Sequence, residues 1–399
     1  MNIDILRKID RWAGVPLCRL VSLIPGSGAK PRGTVSVHRI LIIMLSEMGS
    51  QVLAEPLFRE LRRRFPEASL HALLFEKNRE LLELLDVMPP GNILTIDDAT
   101  AGGFLGGSLR AVRSMRRLGI DTVIDGELLS RASSLFAYLS GARLRAGFHR
   151  HTQEGLYRGD FINRPVLYNP NLHFSHQLLT LADAVGSESR PAGKRVVPSE
   201  RPTVSPIVFG EREIVAMQGR FSGDFPGVDL RKLVLLQPGG GALPIRAWPV
   251  EHYVRLSQGL IEEGYALAII GPPEDRAVAR SIAGAVGEAR CLDLTGYTRT
   301  LRELLLLFHL APLLVANDGG AAQFSALTPI PAVILFGPET PLLYGSLNPR
   351  AVSVCRPFSC SPCISAYNHR KTPCDGDARC LKEISPELVL GEALKLLRS

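Results

Sequence analysis

No stretch of this chain reaches the ~20 consecutive apolar residues that span a bilayer, which argues against an integral membrane protein. No long apolar core leads to a small-residue cleavage site near the N-terminus, so no secretory leader is expected. Aromatic–basic interleaving, zinc-finger spacing and a lysine-rich tail are also missing, which sets nucleic acid aside as a partner. Negative charge is in the minority. Formal net charge is +7 and the pI is about 9.1, a balance that favours nucleotides or phospholipid headgroups. What is present is a globular composition, 46% hydrophobic and 21% charged, in a chain of 399 residues, enough for two domains.

The segment "ILRKIDRWAGVPLCRLVSLI" mixes Arg7, Lys8, Arg11 and Arg19 with Ile5, Leu6, Ile9, Trp12, Leu17, Leu20 and Leu23. That mixture suits a short helix lying on an anionic membrane. A helix packed on the protein's own surface fits the pattern equally well. Pro25 to Gly33 then reads as a linker, and residues 1–34 form the amphipathic helix and its connection.

Beyond the linker, β-type runs alternate with helical patterns. Strands are expected at Ile40–Leu45, Leu70–Phe75, Ile93–Ile96 and Thr122–Asp125, with helices at Val52–Arg64 and Leu109–Leu118. The alternation weakens between Ala146 and Pro206, where a helix at Ser175–Val185 is the one clear element. It resumes with strands at Leu233–Gln237, Ala266–Ile270, Leu313–Ala316 and Ala332–Phe336, and helices at Val250–Glu262 and Leu301–His309. Two doubly wound, Rossmann-like α/β domains are therefore expected, at 35–205 and 206–385, with a C-terminal helix at 386–399. Ligands in such sheets sit at the carboxyl ends of the strands, here in a cleft between the facing domains.

The chemistry-bearing residues gather at those strand ends. "LLQPGGGALPIRAWPVEHY" places Gly239, Gly240 and Gly241 after a strand and Arg246 before a helix. Backbone N–H groups freed by glycine, a helix N-terminus and a guanidinium together suit a diphosphate. "AIIGPPEDRA" offers Glu274; "LLVANDGGAAQFSAL" offers Asn317, Asp318, Gly319, Gly320 and Gln323; "VILFGPETP" offers Gly337 to Thr340. A single glycine-rich loop is weak evidence. Four on one sheet edge are much stronger.

In this order, these motifs together with "LTGYTRTLRELLLLFHLAPLLVANDGG", "NLHFSHQLLTLADAVG" and the opening "ILIIMLSEMGSQVLAEPLFRELRRRFPEASLHAL" resemble glycosyltransferase family 9, the ADP-heptose:lipopolysaccharide heptosyltransferases. The resemblance runs from about Arg39 onward. It implies a GT-B fold, a donor nucleotide sugar held mainly by the second domain, and inverting transfer that needs no metal cofactor. It also implies a glycolipid or polysaccharide acceptor; the basic N-terminal helix and the acceptor side of the first domain then suggest a cytoplasmic enzyme at the inner face of the membrane. By the same resemblance Arg246 lies at the donor diphosphate, Glu274 near the nucleoside, and Asp318 with Gly319 and Gly320 along ribose, phosphates and sugar.

Two departures stand out. Ser50 occupies the place of the family's aspartate base, and Gln323 that of a family histidine. Transfer needs a base within reach of the acceptor hydroxyl, and serine cannot easily serve unaided. Glu47, three residues earlier in the same turn, is the expected substitute, with Ser50 contacting substrate oxygens. Glu55 lies further along, where it caps or decorates the helix. Loss of the usual aspartate leaves open a second reading, a silent GT-B protein that binds a nucleotide sugar or serves in an assembly.

Seven cysteines are unevenly placed. Cys360, Cys363, Cys374 and Cys380 fall in "CSPCISAYNHRKTPCDGDARC" with metal-ligand spacing, within a Cys-rich tail at 355–380. A zinc or iron–sulfur site, with His369 as a substitute ligand, is one reading; thiols that stabilise a loop are the other. A metal-sensing or redox role for this tail is a third, weaker functional reading. Cys18 and Cys291 read as ordinary small residues, and Arg62–Arg64 as a solvated helix face. His173 and His176 read either as cleft-facing or as structural.

Overall fold

The computed structural model describes residues 8–29, 36–45, 47–128, 130–155, 157–368 and 370–399. Ile5, Leu6, Arg7 and residues 30–33 of the expected linker lie outside the described residues. The chain divides into two compact units, Met1–Pro202 and Thr203–Ser399.

In the first unit, six strands form one parallel sheet: β1 (Arg39–Ile43), β2 (Ser69–Phe75), β3 (Ile93–Ile96), β4 (Thr122–Asp125), β5 (Leu144–His149) and β6 (Arg164–Leu167). Their spatial order is β3-β2-β1-β4-β5-β6. The second unit repeats the plan with β7 (Leu233–Gln237), β8 (Ala266–Gly271), β9 (Cys291–Thr295), β10 (Leu314–Asn317), β11 (Ala332–Phe336) and β12 (Ala351–Cys355), in the order β12-β11-β10-β7-β8-β9. Read from its own first strand, each sheet has the strand order of a dinucleotide-binding fold. Strand order reverses between β1 and β4, and again between β7 and β10.

The strands form where they do because both faces are covered. Val, Ile and Leu fill β1, β4, β7 and β11, and nearly every residue of these strands is buried, as a parallel sheet clothed by helices requires. Helices Met48–Arg64, Ala101–Leu118 and Phe174–Val185 flank the first sheet, and Val250–Glu262, Arg276–Val286, Leu301–Leu310 and Pro386–Leu397 the second. Thr100, Thr300 and Ser385 start three of them by accepting the N–H of Gly103, Glu303 and Leu388 at 2.9, 3.1 and 3.3 Å. Leu41, Ile43, Met115, Val123, Phe136 and Phe161 build the first core. Trp248, Tyr253, Leu267, Ile269, Val315 and Val333 build the second.

Where the alternation was read as weakening, the sheet in fact continues through β5 and β6. The signal is masked by chemistry inside the strands. Arg145 is buried in β5 yet hydrogen-bonded by its guanidinium to the carbonyls of Phe161, Ala142 and Ser27, and β6 is four residues long with Pro165 inside it.

At the first strand-order reversal, β4 ends in Asp125, fully buried and ion-paired with Arg158, itself 1% exposed. Ser133 Oγ donates to the same carboxylate at 3.1 Å and the Glu127 N–H at 3.1 Å. Arg158 also donates to the carbonyls of Ser130, at 2.9 Å, and Glu127. Arg158→Leu strands this carboxylate without its cation. Equilibrium urea unfolding should show a loss of about 3–5 kcal/mol, whereas Glu387, exposed and paired with the exposed Arg255 at 2.6 Å, should tolerate Gln with a loss of about 1 kcal/mol or less.

Candidate functional site

The second reversal, between β7 and β10, is the better furnished. β10 pairs with β7 so that Ala316 lies opposite Gln237, which sets Asn317 beside the loop that leaves β7. Asn317 is fully buried, and its amide is used on all sides. Its Oδ1 accepts from the Trp248 N–H at 3.1 Å and the Tyr253 hydroxyl at 3.2 Å; its Nδ2 donates to the carbonyls of Pro238 at 2.8 Å and Gly239 at 3.2 Å. Two lone pairs and two protons are therefore committed. Burial raises the Tyr253 pKa and keeps that phenol a donor. Read as a donor contact in the sequence, Asn317 is placed to hold the glycine loop.

The loop itself is built for close backbone approach. A Cβ on Gly240 would lie 2.8 Å from the Leu243 carbonyl and 2.9 Å from the Pro244 Cα, and Gly241 sits at φ +58°. Neither position suits a side chain. Gly240 is half-buried and Gly241 exposed, so the loop backbone is open to a ligand.

Arg246 follows in a short 3-10 turn, 8% exposed. Its Nη1 reaches the Asp318 carbonyl at 3.4 Å and that residue's carboxylate at 3.9 Å; its Nη2 lies 3.5 Å from Glu339 Oε1. Its Nε is buried without a hydrogen-bond partner among the described residues. Glu339, 5% exposed, also faces Arg370 Nε at 3.8 Å, and the Arg370 guanidinium lies 5.4 Å from the centre of the Tyr344 ring. Two guanidiniums thus share two buried carboxylates. Glu339 as partner of Arg246 and Arg370 was not read from the sequence, since nothing in "FGPETP" points to residues 93 positions before or 31 after it.

The remaining expected donor residues take varied positions. Asp318 is 6% exposed and donates its N–H to the Leu335 carbonyl at 2.9 Å; Gly319 is half-buried and Gly320 opens the helix Gly320–Phe324. Gln323 is buried, its Nε2 donating to the Tyr344 carbonyl at 2.7 Å while its Oε1 is buried with no hydrogen-bond partner among the described residues. Glu274 is exposed. Its neighbour Asp275, not read from the sequence, packs its carboxylate against the backbone of Gly239 and Gly271. Burial, then the charge of Glu274, raises the Asp275 pKa.

In the first unit, Glu47 immediately precedes the helix Met48–Arg64 at the exit of β1, partly exposed, with Ser50 in the first turn donating its N–H to the Glu47 carbonyl at 3.0 Å. Glu55 does not decorate a surface. It is 2% exposed and pairs with Arg59 at 2.9 Å, because its side of the helix turns toward the core.

The family model for glycosyltransferase family 9 (heptosyltransferase) matches residues 108–372. The chain belongs to glycosyltransferase family 9. It is a glycosyltransferase, and its two doubly wound units are those of a GT-B enzyme. Lipopolysaccharide heptosyltransferase 2 of Salmonella typhimurium is 24% identical over 377 residues, covering 90% of this chain and 98% of the relative. Lipooligosaccharide heptosyltransferase 2 of Haemophilus ducreyi is 24% identical over 329 residues, covering 79% and 88%. Among solved structures, the ADP-heptose lipopolysaccharide heptosyltransferase II of E. coli superimposes with a TM-score of 0.68 at 22% identity, covering 90% of this chain and 98% of that one, a likeness of fold.

The cysteine tail of this family 9 enzyme carries two readings from the sequence, a metal site and thiols that stabilise a loop. Among the described residues no group of three or more His, Cys, Asp or Glu is arranged to hold a metal ion, and His369 lies outside them. Cys360 and Cys374 are exposed, Cys380 is buried, and Cys363 Sγ sits 3.1 Å from Thr372 Oγ1. The tail instead braces the loop after β11: Cys363 and Ile364 donate N–H groups to the Pro338 carbonyl at 3.0 Å each, and Ser361 Oγ donates to that of Gly337 at 2.5 Å. Cys18 and Cys291 are buried, as ordinary small residues. His173 accepts the Ser175 N–H at 3.3 Å to start its helix, and His176 Nε2 lies 3.1 Å from the Glu200 carbonyl.

Asn317→Leu leaves the Trp248 backbone N–H without its acceptor and frees the loop, while the Tyr253 hydroxyl keeps the Gln237 carbonyl at 3.1 Å. A loss of about 2–4 kcal/mol in urea unfolding is expected, against about 1 kcal/mol for Tyr253→Phe.

Proposed function

We propose that this glycosyltransferase moves a heptose from a nucleoside-diphosphate donor to a hydroxyl of a lipopolysaccharide-core glycolipid, with inversion and without a metal cofactor. The observation that carries the reading is the glycine loop at the β7–β10 reversal, pinned by Asn317, with the buried Arg246 beside it in a family 9 chain. The names of the relatives, lipopolysaccharide and lipooligosaccharide heptosyltransferases, support the sugar and the acceptor class. In this reading the second unit binds the donor, the first receives the acceptor, and the enzyme works at the inner face of the cytoplasmic membrane. No helix among the described residues is long and apolar enough to cross a membrane.

Chemically, the acceptor hydroxyl attacks the anomeric carbon from the face opposite the diphosphate, its proton passes to a carboxylate, and the C–O bond to the diphosphate breaks. Arg246 and the N–H groups of the Gly240–Gly241 turn stabilise the negative charge that grows on the leaving diphosphate. Asp318, Gly319, Gly320 and Gln323 position sugar and ribose, and Glu274 lies at the nucleoside. Glu47 is the base, at the end of β1 where the family aspartate is replaced by Ser50, and Ser50 holds a substrate oxygen.

A thermal-shift screen of nucleoside diphosphates and their sugars tests the donor. A ligand at 100 times its Kd stabilises by about 2.7 kcal/mol, and Arg246→Gln should abolish most of that gain. Glu47→Gln should lower kcat by about 10²–10⁴-fold with donor affinity unchanged. Full activity in that variant removes Glu47 as base, and donor binding without turnover on any membrane extract supports a silent protein.

A further inference from the structure

The N-terminal helical segment has an inner side tied to the first unit and an outer side that none of the described residues covers. On the inner side, Asp10 accepts the N–H groups of Arg131 and Ala132 at 2.8 and 3.0 Å and pairs with the Arg131 guanidinium at 3.0 Å. Cys18 is fully buried, and a Cβ on Gly14 would come within 2.9 Å of the Arg131 Cβ, so helix and unit touch backbone to side chain. Ser22 Oγ accepts the Asp160 N–H at 2.9 Å and lies 3.2 Å from the Tyr157 hydroxyl. Past the helix, the carbonyls of Ser27 and Ala29 accept from Arg145 at 2.5 Å and Asn163 at 3.0 Å. Held at both ends, the segment presents a fixed outer surface.

That surface is apolar. Trp12 is 79% exposed, Leu23 78%, Leu20 62% and Ile9 53%, with Leu17 and Ile24 each 47%. Single exposed apolar residues are ordinary, but six large ones within sixteen residues form a patch of the kind that marks an interaction surface. Lys8, Arg11 and Arg19 are exposed on the same segment. The one acid between residues 8 and 24 is Asp10, whose charge is answered inward by Arg131. The outer side therefore offers three cations and no competing carboxylate of its own. Apolar side chains with a tryptophan among them, fringed by cations, on a helix too short to cross a bilayer, match one environment: the headgroup–acyl boundary of an anionic leaflet.

We infer that Ile9, Trp12, Leu20 and Leu23 insert into an anionic bilayer surface while Lys8, Arg11 and Arg19 engage its phosphates, docking the first unit at a fixed orientation. This deepens the reading of a membrane-borne acceptor by naming the surface that meets the membrane. The docking itself needs neither donor nor acceptor.

The test is co-sedimentation of the full chain with phosphatidylglycerol/phosphatidylethanolamine vesicles and with pure phosphatidylcholine vesicles. Wild type should partition onto the anionic vesicles and shift its tryptophan emission to the blue. Trp248 is 1% exposed and stays constant as an internal reference, so the shift should vanish in Trp12→Phe. Trp12→Glu/Leu20→Glu should abolish binding, and Lys8→Gln/Arg11→Gln/Arg19→Gln should weaken it about a hundred-fold on anionic vesicles only. Unfolding midpoints of all variants should match wild type. No vesicle binding by wild type, or equal binding by the double glutamate variant, overturns the inference. So does a wild-type dimer that the glutamates dissociate, since a second copy then covers the patch. Transfer to a water-soluble acceptor fragment, run in parallel, reports on the transferase reading alone and should be unchanged in the glutamate variant.

Discussion

The amide of Asn317 joins two strand ends that are neighbours in space and eighty residues apart in sequence, and the glycine loop of the second unit depends on that join. Parallel strands leave their carboxyl ends as separate loops with nothing in the ladder to register one against another. A side chain with two acceptor positions and two protons can do so when it is fully buried, because each bond then forms without competition from water. Trp248, Tyr253, Pro238 and Gly239 all answer to this one group. The glycine turn is thereby held open before any ligand arrives, and the entropy of ordering it is already met on folding.

Around this join, charge is arranged with restraint. Arg246 and Arg370 share Glu339, and Arg246 also faces Asp318, so the cluster is close to neutral without a ligand. An uncompensated buried guanidinium would cost several kcal/mol, and this pairing removes that cost. In the proposed function, a diphosphate competes with these carboxylates for Arg246. The cysteine tail enters here through Arg370 and through its hydrogen bonds to Gly337 and Pro338, as a brace for the loop that carries Glu339.

Much of the architecture was legible in the chain because parallel sheets write themselves locally: β3, β4, β7 and β11 fall where runs such as "LVLLQ" and "AVILF" place them. β5 and β6 were not, since a buried arginine and a proline interrupt the apolar pattern that marks a strand. At the site, Gly240, Gly241 and Arg246 were readable because each belongs to a contiguous loop. Arg370, Asp275, the Asp125–Arg158 pair and the pairing of Glu339 with Arg246 were not, because each owes its role to a partner distant in sequence. Asn317 was seen, but its hold on the glycine loop was not. Position at a strand end is visible in a sequence, whereas the direction of an amide is not.

One consequence concerns the order in which the enzyme takes shape on the ribosome. The first unit is complete in sequence by Pro202. The second is not complete until its last helix arrives: Pro386–Leu397 lies against Val250–Glu262, Leu390 reaches Gly259, and the Trp248 indole donates to the Ile384 carbonyl at 3.0 Å. The sheet edge that carries the glycine turn therefore waits on residues synthesised almost 150 positions later, while the first unit can fold during translation. The first sheet is thus complete in the chain well before the turn at Gly240 and Gly241 has its full support.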